Sequence, residues 1–340
     1  MPMELLPYSS FYTSVAPLQS APRRMPANYH VFNPDPSTAT EIGIFLTSTT
    51  EPTVEGTFSN ATGAWRSNIE LTSGEYYYIY GYMPKAAAAT ASAAPLNGSY
   101  ANGTVMTLTG LDPVSTKDLC VVVGVKQGER RAVDITVVDN LLQGVFLFRG
   151  KNAEEGNFVY LLLDHIYASI GFNMKVDAEY NALRTIKLKE VSIKSPNASK
   201  VTANVTITAN TNDKNPISSV VWNRQGGEMT EVIYTYTPED TSDPTDTGKA
   251  LTTSMFHISE CMIANIMNSS TDKPLLLHTV YDVYDKAGNL VRSDCVSENR
   301  IPSVSTLDHS ERTQLQLIVK PTYLYVLSDP DLNNPSVEFI

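Results

Sequence analysis

From Glu41 onward the chain alternates apolar and polar residues in short runs, each broken by Gly, Pro, Asn or Asp. Successive side chains on a strand point to opposite faces, so a period of two marks a half-buried strand. The clearest run is Tyr76 to Met83, with Tyr76, Tyr78, Tyr80 and Tyr82 on one face and Tyr77, Ile79 and Gly81 on the other. Ser73-Gly74 before it and Pro84 after it punctuate both ends. The same reading predicts strands over 119–125, 133–138 and 145–148. Further strands are predicted over 185–193, 201–208, 218–222, 232–236, 276–284 and 313–326.

Other segments read differently. Residues 1–40 are rich in Pro, Ser and Ala, with scattered apolar residues and one dibasic pair, Arg23-Arg24. Ala86 to Ala94 is a low-complexity Ala/Thr/Ser stretch that fits either a short helix or a mobile surface loop. Leu161 to Val176 is apolar enough to begin with a helical turn. Pro238 to Lys249 is acidic, rich in Pro and Thr, and reads as a loop, whereas Asp285 to Asn289 reads as a hairpin connection. The polar stretch Lys151–Asn157 is the expected boundary between an N-terminal half, residues 1–157, and a C-terminal half, residues 158–340. Many short strands and few helical periods predict an all-β protein of two consecutive β-sandwiches.

Composition narrows the function. The 340 residues are 42% hydrophobic, enough for a buried core in each half, and Tyr, Thr, Val and Ser favour pleated surfaces. A net charge of −11 argues against nucleic acid as a partner, because phosphate binding needs a basic footprint. No apolar stretch is long enough for a transmembrane helix. The opening Met1-Pro2-Met3-Glu4 is not a signal peptide and reads as a start placed after a removed leader. Of three cysteines, Cys120 lies in an apolar run and reads as a buried hydrophobe, while Cys261 and Cys295 could pair.

No catalytic, cofactor or metal motif emerges. His30, His165, His257, His278 and His309 show no ligand spacing, and His165 reads as a structural histidine. There is no nucleophile elbow, phosphate loop or dinucleotide fingerprint. Asp329, Asp331 and Asn333 begin like a calcium loop, but Asn334 stands where Gly is needed and the closing Glu is missing. The ladder of Tyr76, Tyr78, Tyr80 and Tyr82 is either a platform for stacking sugar rings or cross-strand core packing.

Four segments, in order, resemble the fimbrillin family of the Bacteroidetes, the major subunits and related proteins of type V pili. They are Trp65–Leu71 running into Gly74–Pro84; Gly110–Ser115 followed by Lys117–Val121; Leu163–Phe172 with its His165; and Val319–Asp329. The resemblance implies two transthyretin-like Greek-key sandwiches and no enzyme. It also implies export as a lipoprotein precursor to the outer membrane and the fimbrium, with leader and lipidated cysteine removed. An arginine-specific protease would cut at Arg23 or Arg24, removing an apolar strand drawn from Leu5 to Leu18. The opened groove would take a terminal strand from another subunit by β-augmentation. Tyr323, Tyr325, Leu327, Val337, Phe339 and Ile340 are the expected donor residues. The plainer readings are a solvated dibasic pair and an ordinary last strand. Partners on this reading are other fimbrial subunits, the protease, and host or bacterial surface ligands. Competing roles are a tip subunit, an anchor subunit, or a glycan-binding surface lipoprotein using the tyrosine ladder.

Overall fold

A computed structural model describes residues 2–5, 10–12, 29–31, 40–48, 53–59, 61, 65–128, 144–152, 154–210, 216–239, 241–243, 245–267, 271–301, 307–323 and 330–339. The first strands are β1 (Pro2–Leu5), β2 (Ser10–Tyr12), β3 (Tyr29–Val31), β4 (Glu41–Ser48), β5 (Val54–Ser59), β6 (Trp65–Glu70), β7 (Tyr76–Met83) and β8 (Thr90–Pro95). Next come β9 (Gly103–Leu111), β10 (Val114–Ser115), β11 (Cys120–Gly128), β12 (Leu147–Arg149), β13 (Asn157–His165), β14 (Ala168–Val176), β15 (Thr185–Ser195) and β16 (Lys200–Thr208). The last are β17 (Ile217–Gln225), β18 (Met229–Thr235), β19 (Lys249–Ala250), β20 (Phe256–Ile263), β21 (Leu276–Tyr284), β22 (Leu290–Arg300), β23 (Arg312–Tyr323) and β24 (Pro330–Phe339). The protein is all-β; its one described α-helix, α1 (Ala178–Leu183), is a short connector capped by Asp177, which accepts from the backbone of Glu179 and Tyr180.

Two buried apolar cores organise these strands. Around the first, an eight-stranded sheet runs β11-β13-β1-β6-β5-β4-β7-β12, and β11 also pairs with β7. That extra pairing closes seven of the eight strands into a ring, leaving β12 attached to β7. A four-stranded sheet, β17-β16-β9-β8, packs on the same core. Around the second core, a five-stranded sheet, β10-β20-β14-β23-β24, faces β18-β15-β21-β22 with β19. Phe172 and Met174 from one layer meet Ile186, Leu188, Leu277 and Tyr281 from the other, the alternation that a two-layer sandwich requires.

The sheets do not follow sequence order. β9, from before residue 157, pairs with β16, from after it, with Leu108 opposite Ala203 and Met106 opposite Val205. Val201, Val205, Ile207, Ile217 and Trp222 are therefore buried in the first core, although the stretch from Ala168 to Ile193 that precedes them lies in the second. In the other direction, β10 pairs with β20 and places Val114 in the second core. Gly103 permits the β9–β16 pairing: its φ is +129°, and a Cβ there would fall 2.0 Å from the Ile207 carbonyl oxygen.

Three local expectations change. Ala86–Ala94 is neither helix nor loop throughout: Lys85–Ala87 makes a 3-10 turn, then β8 pairs along β9. Small side chains let Tyr100 Oη and Thr104 Oγ1 donate to the Ala93 and Ala94 carbonyls, both at 2.9 Å. The stretch 161–176 holds no helical turn, because a run of apolar residues buried on both faces is strand here, β13 then β14. Cys261 and Cys295 are free, each buried in a different strand, β20 and β22. The predicted strand over 133–138 lies outside the described residues.

Candidate functional site

The N-terminal strand closes the ring. β1 lies between β13 and β6, parallel to the first and antiparallel to the second. Met3, Glu4 and Leu5 are opposite Asn157, Phe158 and Val159; on the other side Glu4 is opposite Arg66 and Leu5 opposite Trp65. Among the described residues β6 and β13 are not paired to each other, and β1 is the strand that joins them. Trp65, Ile69, Phe158 and Val159 on the two flanking strands are buried. Arg23 and Arg24 lie outside the described residues, in the stretch between β2 and β3.

The C-terminal strand is seated in its own sheet. β24 forms the edge next to β23, with Val337 opposite Val319 and Phe339 opposite Leu317. Val337 is buried in the second core, and Lys320 Nζ meets Glu338 Oε2 at 2.9 Å. Tyr323 ends β23, whereas Tyr325, Leu327 and Ile340 lie outside the described residues.

The tyrosine ladder does not present one aromatic face. Tyr80 is fully buried, stacks on Phe146 with centroids 4.5 Å apart, and donates from Oη to the Tyr100 carbonyl at 2.6 Å. Burial pushes its phenol well above the usual range. Tyr82 is buried against Phe45. Tyr78 is half-buried, and Tyr76 is exposed at the strand's first position. From Ile79 onward β7 is buried on both faces, which period two alone does not foresee.

One cluster escapes the sequence reading. Cys120 and His165 are direct cross-strand partners on β11 and β13, so their side chains share a face. Asp118, two residues before Cys120, falls on that face by period two. His165 Nδ1 hydrogen-bonds Asp118 Oδ2 and lies 3.4 Å from Cys120 Sγ, which is 3.7 Å from Asp118 Oδ2. Burial pushes the thiol up to about 12, and Asp118 adds to the rise. Burial opposes the charge on His165, but Cys120 and Asp118 outweigh it and hold the imidazole well above its usual value. Thiol and carboxylate meet the same ring nitrogen, so the ring cannot relay a proton between them as a nucleophilic triad does. Ser310 Oγ braces the neighbouring backbone, 2.8 Å from Asp164 Oδ1 and 2.7 Å from the His165 carbonyl oxygen. Only the pairing register joins the Asp118-Leu119-Cys120 and Asp164-His165 signals in the sequence.

No family model and no curated protein sequence matches the chain. Among solved structures it is similar to a putative cell adhesion protein of Bacteroides fragilis, at 9% identity and TM-score 0.47, covering 100% of this chain and 96% of that one. It is similar to a fimbrial protein of Bacteroides vulgatus, at 13% identity and TM-score 0.36, covering 100% and 98%. It is also similar to the fimbrial anchor protein Mfa2 of Porphyromonas gingivalis, at 9% identity and TM-score 0.30, covering 99% and 95%. These are Bacteroidetes adhesion and fimbrial proteins, the group to which the sequence segments point.

Proposed function

We propose that this chain is a non-enzymatic structural subunit of cell-surface fimbriae, joined to its neighbours by donor-strand exchange after proteolysis at Arg23 or Arg24. The observation that carries the reading is the position of β1, which fills the gap between β6 and β13 and precedes both arginines. Removing β1 strips one partner from β13 over Asn157–Val159 and one from β6 over Trp65–Glu70. Each unpaired, buried backbone group costs about 1–3 kcal/mol, so the opened ring favours any strand that restores the ladders. The apolar residues of the tail, Tyr323 to Ile340, suit an incoming strand from a second copy. Lipoprotein export and adhesion to host or bacterial surface ligands belong to the same reading.

A tip or anchor subunit is the second reading. It is favoured by β24, which is paired with β23 at home and must leave it to be donated. A glycan-binding role for the ladder is weakened, because only Tyr76 and Tyr78 retain exposure.

An arginine-specific protease separates the first two readings. Cleavage after Arg24 is expected to leave a stable core that forms ladders on native gels and filaments by electron microscopy. Deleting residues 328–340 is expected to abolish both. A cleaved core that stays monomeric at all concentrations overturns the polymerising reading.

A further inference from the structure

We infer that Asp118, Cys120 and His165 form a binding site for one divalent transition-metal ion of the zinc type, at the end of β11 and β13. The inference does not depend on the fimbrial reading. Three donor atoms of different chemistry, Asp118 Oδ2, Cys120 Sγ and His165 Nδ1, all lie within 4.8 Å of one another. Zinc binds thiolate at about 2.3 Å and imidazole at about 2.0–2.1 Å, so a tetrahedral S···N edge is about 3.6 Å. The observed S···N separation is 3.4 Å and the S···O separation 3.7 Å. Two of the three edges therefore match a tetrahedral face, while the third pair, Asp118 Oδ2 and His165 Nδ1, is drawn together by a hydrogen bond and must part when the ion replaces the shared proton.

Donor identity selects the ion. A thiolate with an imidazole suits zinc and its neighbours, whereas calcium and magnesium require oxygen ligands throughout. Access and rigidity also fit. Cys120 is buried, while the Asp118 and His165 side chains keep 24% and 15% of their exposure, so an ion can enter from the carboxylate side. A fourth position would be left for water. Two donors are fixed by the β11–β13 ladder, and the backbone N–H of Leu119 donates to Asp118 Oδ1 at 2.8 Å, leaving Oδ2 as the ligand atom. On binding, the ion displaces the Cys120 thiol proton and the proton shared by His165 and Asp118. Both leave to solvent, so no oxidant or co-reactant is needed.

Cobalt(II) is the probe. The full chain, reduced and stripped with chelator, is titrated with Co(II) and followed by absorption. The expected result is one equivalent bound, with a thiolate-to-cobalt charge-transfer band and tetrahedral d–d intensity, both removed by one equivalent of Zn(II). Cys120→Ser is expected to lose the charge-transfer band. A double variant, Cys261→Ala with Cys295→Ala, is expected to keep it. Asp118→Asn, a partly exposed change that preserves shape, is expected to weaken Co(II) binding by at least about tenfold, the smallest loss typical of removing even an outer partner. Circular dichroism checks that each variant is folded. No charge-transfer band in the wild-type chain, or one that survives Cys120→Ser, overturns the site and leaves a His165–Asp118 ion pair beside a thiol.

Discussion

If the β16–β17 hairpin belongs to the first core, the first half of the chain cannot fold without it. Consider a fragment of residues 1–166, which keeps every ring strand including β13. It lacks Val201, Val205, Ile207, Ile217 and Trp222, which are at most 6% exposed in the full chain. Burying one such side chain is worth about 1.5–3 kcal/mol, so the five together supply on the order of 10 kcal/mol. The stability of a whole domain is about 5–15 kcal/mol, so the missing hairpin is comparable to the total. β9 also loses one of its two partners, and Met106 and Leu108, both fully buried in the full chain, lose the cover of β16. The fragment is therefore expected to show weak near-ultraviolet circular dichroism, poor amide dispersion by NMR and no cooperative urea transition. In the full chain, Trp222→Ala removes a ring stacked 5.0 Å from Tyr167, and is expected to cost about 3–5 kcal/mol in the same titration. A cooperatively folding 1–166 fragment, together with a Trp222→Ala variant of unchanged stability, would refute the interlocked core.

Two further outcomes follow from single contacts. Tyr80→Phe deletes the hydroxyl that donates to the Tyr100 carbonyl and is expected to cost about 1–3 kcal/mol by urea unfolding; an unchanged midpoint means the bond is not made. Asp285 accepts from the backbone of Ala287 and Asn289 and from Asn289 Nδ2, which hold its pKa below the usual 3.8. The unfolded chain takes up this proton first as pH falls. The turn's contribution is thus present above about pH 3.8 and lost as pH drops through the folded value. An NMR titration placing Asp285 at or above 3.8 contradicts the turn, and faster amide exchange at Ala287 and Asn289 on acidification supports it.

The sequence is most informative where a strand carries its own punctuation. Tyr76–Met83 and Leu276–Tyr284 match their predicted bounds, each ending at a Pro or a turn. Period two is a local signal, and it says which faces alternate without saying what covers them. Hence β8 reads as either short helix or loop: its Ala, Ser and Thr residues carry no apolar stripe, and pairing with β9 makes them a strand. The burial of Tyr80 and Tyr82 follows from Phe146, Tyr100 and Phe45, partners that no local window around β7 contains. The pairing of Cys120 with His165 depends on a register across 45 residues, so the motif search passes over both. The same limit applies to the division at residue 157, where Lys151–Asn157 is a polar connector but the strands on either side exchange partners.

That exchange has a mechanical consequence. The chain passes back and forth between the two cores: at Val114 and Leu119, at Tyr167 and Ala168, at Ile193 and Ala198, and at Ile263 and Ala264. A linker crossed once makes a hinge, whereas several crossings at different points triangulate the joint and resist bending about any single axis. A pull that separates the cores is shared among those crossings, because the β9–β16 and β10–β20 ladders each keep both strands on one core. The two cores are thus tied by several passes of the chain, and a load between them falls on covalent connections before it falls on any ladder.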